Sequence, residues 1–168
     1  MDKPSGDKST GDKSTGDKEL DRLDREILRL LASDASLSLG EVAARVGLTQ
    51  TPCWKRIRRM EQAGVITKRV AVLDPAKVGL PVSVFVAVET ADHSSDWLAR
   101  FAALVEATPE IVDSWRMSGD VDYLLHVVVP DIAAYDTFYR KLIATLPLRN
   151  VTSRFAMERM KAGPLPIA

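Results

Sequence analysis

The spacing of apolar residues changes at LDPAKVGLP, residues 73–81. Before this stretch, apolar side chains recur every three or four residues. After it, several runs alternate apolar and polar. The first period belongs to helices and the second to strands. The 168 residues suffice for one domain of common size or two small ones. The change of period, at a Pro- and Gly-rich hinge over 74–81, favours two: a helical domain over 19–73 and a mixed domain over 82–168.

Three helices are expected in the first domain. Leu20, Leu23, Ile27, Leu30 and Leu31 form one stripe at helical spacing. Ser38-Leu39-Gly40-Glu41 reads as a capping box opening a short second helix, with Leu39, Val42, Ala43 and Val46 apolar. Gly47 suits the left-handed residue that ends it. Thr49 then fits the N-cap of a third helix, and Pro52 is tolerated in its first turn. Cys53, Ile57 and Met60 are spaced to face inward. Helix, short helix, glycine turn and helix is the helix-turn-helix order.

Charge singles out the third helix. Formal net charge is zero over the chain, yet residues 50–69 hold six cations (Lys55, Arg56, Arg58, Arg59, Lys68, Arg69) against one anion, Glu61. The inward stripe turns Gln50, Thr51, Trp54, Lys55 and Arg58 outward, with Arg56 and Arg59 flanking them. A helix of this kind fits the major groove of double-stranded DNA: its early residues reach base edges, and its Arg and Lys hold phosphates. A run of cations that merely solubilises a helix would not explain the preceding cap and turn. AGVITKRVAVL, with Lys68 and Arg69, reads as a strand or small wing beside the helix. Cys53 sits on the inward stripe, which favours a small core residue over a reactive thiol.

The second domain reads as βαββαβ. VSVFVAVET is a strand, and Ser94 or Ser95 caps a helix carrying Trp97, Leu98, Phe101, Leu104 and Val105. EIVDSWRM and VDYLLHVVV are strands, Asp131 caps a second helix, and VTSRFAMERMK is a last strand. That order is a ferredoxin-like sandwich. The fold class is therefore α+β. In VDYLLHVVV both faces are largely apolar, while two helices cover only one face of a sheet. The other face is expected to meet a second subunit, with His126 as an interface residue.

The turn Ser118-Gly119-Asp120 leads into Asp122, and Arg116 precedes it. Backbone N–H groups around a glycine bind carboxylates, Asp120 and Asp122 suit an ammonium, and Arg116 adds a cation. An α-amino acid needs such a set. Catalysis is not expected: there is no nucleophile–base pair, no nucleotide loop and no catalytic residue to assign. The lone cysteine, Cys53, rules out an internal disulfide and a cysteine-based metal site. No cofactor or metal is expected. His93 lies in a polar loop and receives no role. No apolar run approaches a membrane span and no signal-peptide core is seen, so a cytoplasmic protein without a membrane partner is expected. Residues 1–18, with the repeated GDKST, bury almost nothing and are expected to be disordered. Their lysines are balanced by aspartates, which argues against a DNA-contacting arm.

LDRLDREILRLL, EVAARVGLTQTPCWKRIRRMEQAGVI, LDPAKVGL, SGDVDYLLHVVVPDIAAY and FAMERMK, in this order, resemble the Lrp/AsnC feast/famine transcription regulators. The resemblance runs over residues 20–161. TPCWKR, HSSDW, WRMSGDVDYL and FAMERMKAGPLPI are most similar to a subgroup whose effector is thought to be cysteine. The resemblance implies an N-terminal winged helix-turn-helix and a C-terminal RAM domain. It implies dimers that assemble further, often to octamers, and an amino acid effector bound between dimers. Family effector positions fall on Arg116, Gly119, Asp120, Asp122, Ile132, Arg154, Phe155 and Ala156. Arg116 and Arg154 replace a leucine and a tyrosine of the leucine-responsive type, which argues for a more polar ligand. The expected function is an amino-acid-responsive, sequence-specific transcription regulator. The alternative is a nucleoid-organising protein of low sequence specificity.

Overall fold

The computed structural model describes residues 19–168. The disorder expected over 1–18 lies outside them. The described chain divides into two compact units.

The first unit holds α1 (Arg22–Ser33), α2 (Leu39–Arg45) and α3 (Gln50–Gln62). Each start has a local cause. Asp21 and Asp24 form a reciprocal capping box at α1, and Ser38 and Glu41 form another at α2. Thr49 stands at the N-cap of α3 with extended backbone, but its side chain makes no capping hydrogen bond. Gly47 adopts φ +70° between α2 and α3, where Leu48 N donates to Ala43 O at 2.9 Å. The core gathers Ile27, Leu28, Val42, Ala43, Val46, Cys53, Ile57 and Met60. Cys53 is thus buried among apolar side chains, and its burial pushes the thiol pKa up.

Two boundaries differ from the sequence reading. No strand forms over residues 67–73. Val70, Val72 and Leu73 alternate as a strand would but are exposed, and no neighbouring segment pairs with them. Residues 163–168, expected in the second domain, join the first unit. Ile167 packs against its core, and Arg29 Nε donates to Ile167 O at 3.0 Å.

The second unit, residues 71–162, opens with a single 3-10 turn, Ala76–Val78, in the expected hinge. It continues with β1 (Val82–Glu89), α4 (Ser95–Glu106), β2 (Ile111–Arg116), β3 (Tyr123–Val129), α5 (Ile132–Thr145) and β4 (Asn150–Phe155). The sheet runs β2-β3-β1-β4, with every neighbouring pair antiparallel. This is the expected sandwich. Ser94 and Asp131 cap the helices. β4 stops at Phe155, short of the expected Lys161, because the ladder with β1 ends there.

Val84, Val86, Val88, Tyr123, Leu125, Val127 and Val129 face the helices and meet Trp97, Phe101, Tyr135, Phe138 and Leu142. The opposite face carries Phe85, Ala87, Leu124, His126 and Val128, paired across β1 and β3, with Trp115 beside Leu124 on β2. His126 stacks on Phe85 at 4.7 Å, and its Nε2 lies 2.7 Å from Ser83 Oγ. An apolar second face is present, as the alternation in β3 predicts.

Candidate functional site

α3 presents the candidate nucleic-acid surface. Burying Cys53, Ile57 and Met60 fixes its rotation, because a helix with one stripe buried shows the opposite stripe to solvent. Gln50, Thr51, Trp54, Lys55 and Arg58 are all exposed. Trp54 is 51 % exposed, unusual for so large an apolar ring.

The cations divide into two groups. Arg56 and Arg59 turn back to α1. Arg56 Nη1 donates to Asp21 at 2.6 Å and to Asp24 at 2.9 Å, and Arg59 bonds the other oxygen of Asp24. Asp24 is fully buried. The hydrogen bond from Arg56 and the Asp24 backbone N–H hold the Asp21 pKa down at about 2. These two arginines join α1 to α3, a duty the charge pattern did not suggest. Asp21 and Asp24 went unassigned in the sequence, although their spacing carries a capping signature. Arg58 and Arg69 share Glu61, at 3.1 and 3.2 Å. Lys55 and Lys68 make no ion pair among the described residues. Gln50, Thr51, Trp54, Lys55 and Arg58 form the outward patch, with Lys68 and Arg69 on the exposed segment that follows.

The effector candidates also divide. The β2–β3 turn is fixed at both ends: Met117 N donates to Asp122 O at 2.8 Å, and Asp122 N to Val88 O at 3.1 Å. Gly119 holds φ +108°, a conformation that favours glycine. Arg116, Ser118, Gly119 and Asp120 are exposed. Asp122 Oδ2 accepts from Thr90 N at 2.8 Å, and Oδ1 lies 4.0 Å from His93 Nδ1. One carboxylate oxygen is therefore engaged with the backbone, and the other faces a histidine given no role from sequence.

Ile132, Arg154, Phe155 and Ala156 lie elsewhere. β2 and β4 are opposite edges of the sheet, so Arg116 and Arg154 are at opposite edges. Arg154 pairs with Phe85, on the face away from the helices. Phe155 meets Tyr135 edge-on at 5.0 Å, Ile132 is exposed at the start of α5, and Ala156 N donates to Ser83 O. A cavity of about 330 Å³ opens beside Ile132, lined by Tyr135, Asp136, Tyr139, Val151 and Ser153. The β2–β3 turn and the β4 edge thus form two separate groups within one chain. Among the described residues no three metal-ligating side chains gather, and no helix is long and apolar enough to cross a membrane.

Residues 83–166 match the family model of the Lrp/AsnC ligand binding domain, and residues 20–67 match a winged helix-turn-helix DNA-binding domain. The chain belongs to the Lrp/AsnC family. It is 48 % identical over 150 residues to the DNA-binding transcriptional activator DecR of Escherichia coli K12, covering 88 % of this chain and 99 % of that one. A solved AsnC family transcriptional regulator from Agrobacterium tumefaciens is 57 % identical with a TM-score of 0.82, covering 87 % and 96 % of the two chains. A transcriptional regulator from Neisseria meningitidis, solved as its L-methionine complex, is 30 % identical with a TM-score of 0.82, covering 88 % and 96 %. This Lrp/AsnC protein is a DNA-binding transcription regulator with a ligand-binding second domain.

Proposed function

We propose that the protein controls genes of amino acid metabolism, reading operator DNA through α3 and answering to a small amino acid bound by its second domain. The exposed patch of Gln50, Thr51, Trp54, Lys55 and Arg58 carries the DNA half of this reading. It combines polar readers near the helix start with cations farther along, as major-groove recognition requires. The protein works in the cytoplasm by binding, not by catalysis.

The effector is a sulfur-containing amino acid, with cysteine the first candidate and methionine the second. The motif resemblance to the cysteine-responsive subgroup supports the first, and the L-methionine complex of the Neisseria relative supports the second. Its carboxylate meets the backbone around Gly119 and its ammonium meets the second oxygen of Asp122. Because the β2–β3 turn and the β4 edge are separate in one chain, the complete site draws on more than one copy. A homodimer and a further assembly such as an octamer follow, with the apolar sheet face as one contact.

A thermal-shift screen against the twenty amino acids tests the effector, since a ligand of the folded state raises stability by mass action. Calorimetry with cysteine, methionine, leucine and alanine should then be run on wild type and Asp122→Asn. The Asn variant keeps an acceptor for Thr90 N but lacks the charge. Heat in wild type that disappears in Asp122→Asn is expected. Equal heats would place the ammonium elsewhere, and a silent screen would leave only the DNA-reading half.

A further inference from the structure

Gly40 has no backbone reason to be glycine. The positive φ angles of the described chain belong to Gly47, Gly64, Gly79 and Gly119. Gly40 lies instead in the first turn of α2, between the capping partners Ser38 and Glu41. Glycine is the least favourable helix residue after proline, so this one weakens a seven-residue helix with few hydrogen bonds to spare. A packing reason is left. A Cβ placed on Gly40 would stand 3.3 Å from Gln50 Nε2 and 4.0 Å from Gln50 Cδ. The first contact is tighter than ordinary van der Waals separation. A side chain at position 40 would crowd the Gln50 amide, and even a Cβ would displace it by a few tenths of an ångström.

Gln50 is the first residue of α3 and is exposed. A long amide side chain in water samples several rotamers, and fixing it costs entropy at the moment of binding. Resting against a bare stretch of α2 narrows that choice beforehand. Gln is suited to a bidentate contact with the N6 and N7 of adenine, which demands accurate placement of both amide atoms. We infer that Gly40 is a positioning residue for base reading: the missing side chain forms the seat that holds the Gln50 amide toward one base pair of each half-site. This rests on the DNA-reading role of α3 proposed above, and it adds a specificity determinant on a different helix.

The test uses the full chain and a pool of duplexes with a randomised central segment, selected for binding and sequenced. Wild type, Gly40→Ala, Gly40→Leu, Gln50→Ala and the Gly40→Ala/Gln50→Ala double variant are compared. Affinity for one fixed unrelated duplex and thermal midpoints are measured alongside. Gln50→Ala should lose discrimination at one base pair of the half-site by about 5- to 150-fold. Gly40→Leu should lose it as fully and Gly40→Ala in part, with affinity for the unrelated duplex unchanged. Gly40→Ala should melt at or above the wild-type midpoint, because alanine favours the helix. That combination, firmer fold and poorer reading, is not what a purely structural glycine gives. In the Gln50→Ala background, Gly40→Ala should change nothing further in the selected sequences.

A wild-type preference retained by both Gly40 variants overturns the inference while the DNA reading stands. So does a preference retained by Gln50→Ala. If wild type itself selects no motif, the sequence-reading role of α3 fails, and the inference with it. Should Gly40→Leu fail to fold, Gly40→Ala alone decides the matter.

Discussion

Replacing Asp24 with Asn is expected to loosen the joint between α1 and α3. The Asp24 side chain is fully buried, and its oxygens meet Arg56 Nη1 at 2.9 Å, Arg59 Nη2, and the backbone N–H of Asp21 at 3.1 Å. Asn keeps the shape and an acceptor for the cap but removes the charge. Arg56 then keeps Asp21 as its anion, while Arg59 loses its one carboxylate partner among the described residues. Breaking a buried pair from one side costs about 3–5 kcal/mol. The arginine side chains keep 25 % and 35 % of their exposure, so they can turn toward water, which points to the lower end of that range. For a domain of this size about 3 kcal/mol corresponds to a fall of about 12–24 °C in the thermal midpoint. The helical circular dichroism signal of the full chain reports it, with Arg59→Met and the double variant completing a cycle. A midpoint within about 2 °C of wild type, well under 1 kcal/mol, would refute the reasoning. Acid should expose the same joint. The Asp21 pKa is lowered in the folded chain to about 2. Its stabilising contribution is therefore complete above the unfolded carboxylate range near 4 and disappears as pH falls toward 2.

Lys55→Ala should weaken binding on all DNA sequences alike and reduce the slope of log affinity against log salt by about one phosphate's worth, whereas Arg58→Ala, if it reads guanine, should relax one base pair by about 1–3 kcal/mol. Gel shifts across a salt series separate the two, and unchanged binding in both would remove α3 from the interface. Placing aspartate at Leu124 or Phe85 should convert a dimer to monomer in sedimentation, since the change puts a charge on the apolar sheet face. A wild type already monomeric at micromolar concentration would sink that assignment. Burial lowers the His126 pKa, against Asp113 at 3.9 Å, which raises it, and Arg159, which lowers it further. A folded-state pKa below the unfolded value means that protonation favours unfolding. Stability should be full above the ordinary histidine range and fall as pH drops through it, and His126→Gln should flatten that part of the profile.

What the sequence revealed well were features with local causes. The Ser38–Glu41 box and the stripe of Cys53, Ile57 and Met60 each join residues three or four positions apart, and with Gly47 between them they specify α2, the turn and the rotation of α3. The alternation in β3 likewise located its two faces. What stayed hidden depends on distant partners. The pairing of Arg56 and Arg59 with Asp24 spans 32 and 35 residues, a separation no periodicity reports. Residues 67–73 alternate like a strand, but alternation states a preference and a ladder needs a neighbour. The strand order β2-β3-β1-β4 separates Arg116 from Arg154, and local patterns say nothing about strand order.

Ile167 lies a hundred residues beyond Ile66, yet it packs with a core whose other members precede residue 67. In order of synthesis the first domain is begun early and finished only after the whole of residues 71–162 has been made. A fragment ending at the hinge would therefore be an unfinished domain, missing the carbonyl that Arg29 bonds and the side chain that covers its core. Truncations intended to isolate the DNA-reading half should carry residues 163–168 back by a linker. A label attached at residue 168 will stand beside α1, whose Arg25 and Arg29 bond the carbonyls of Ala168 and Ile167.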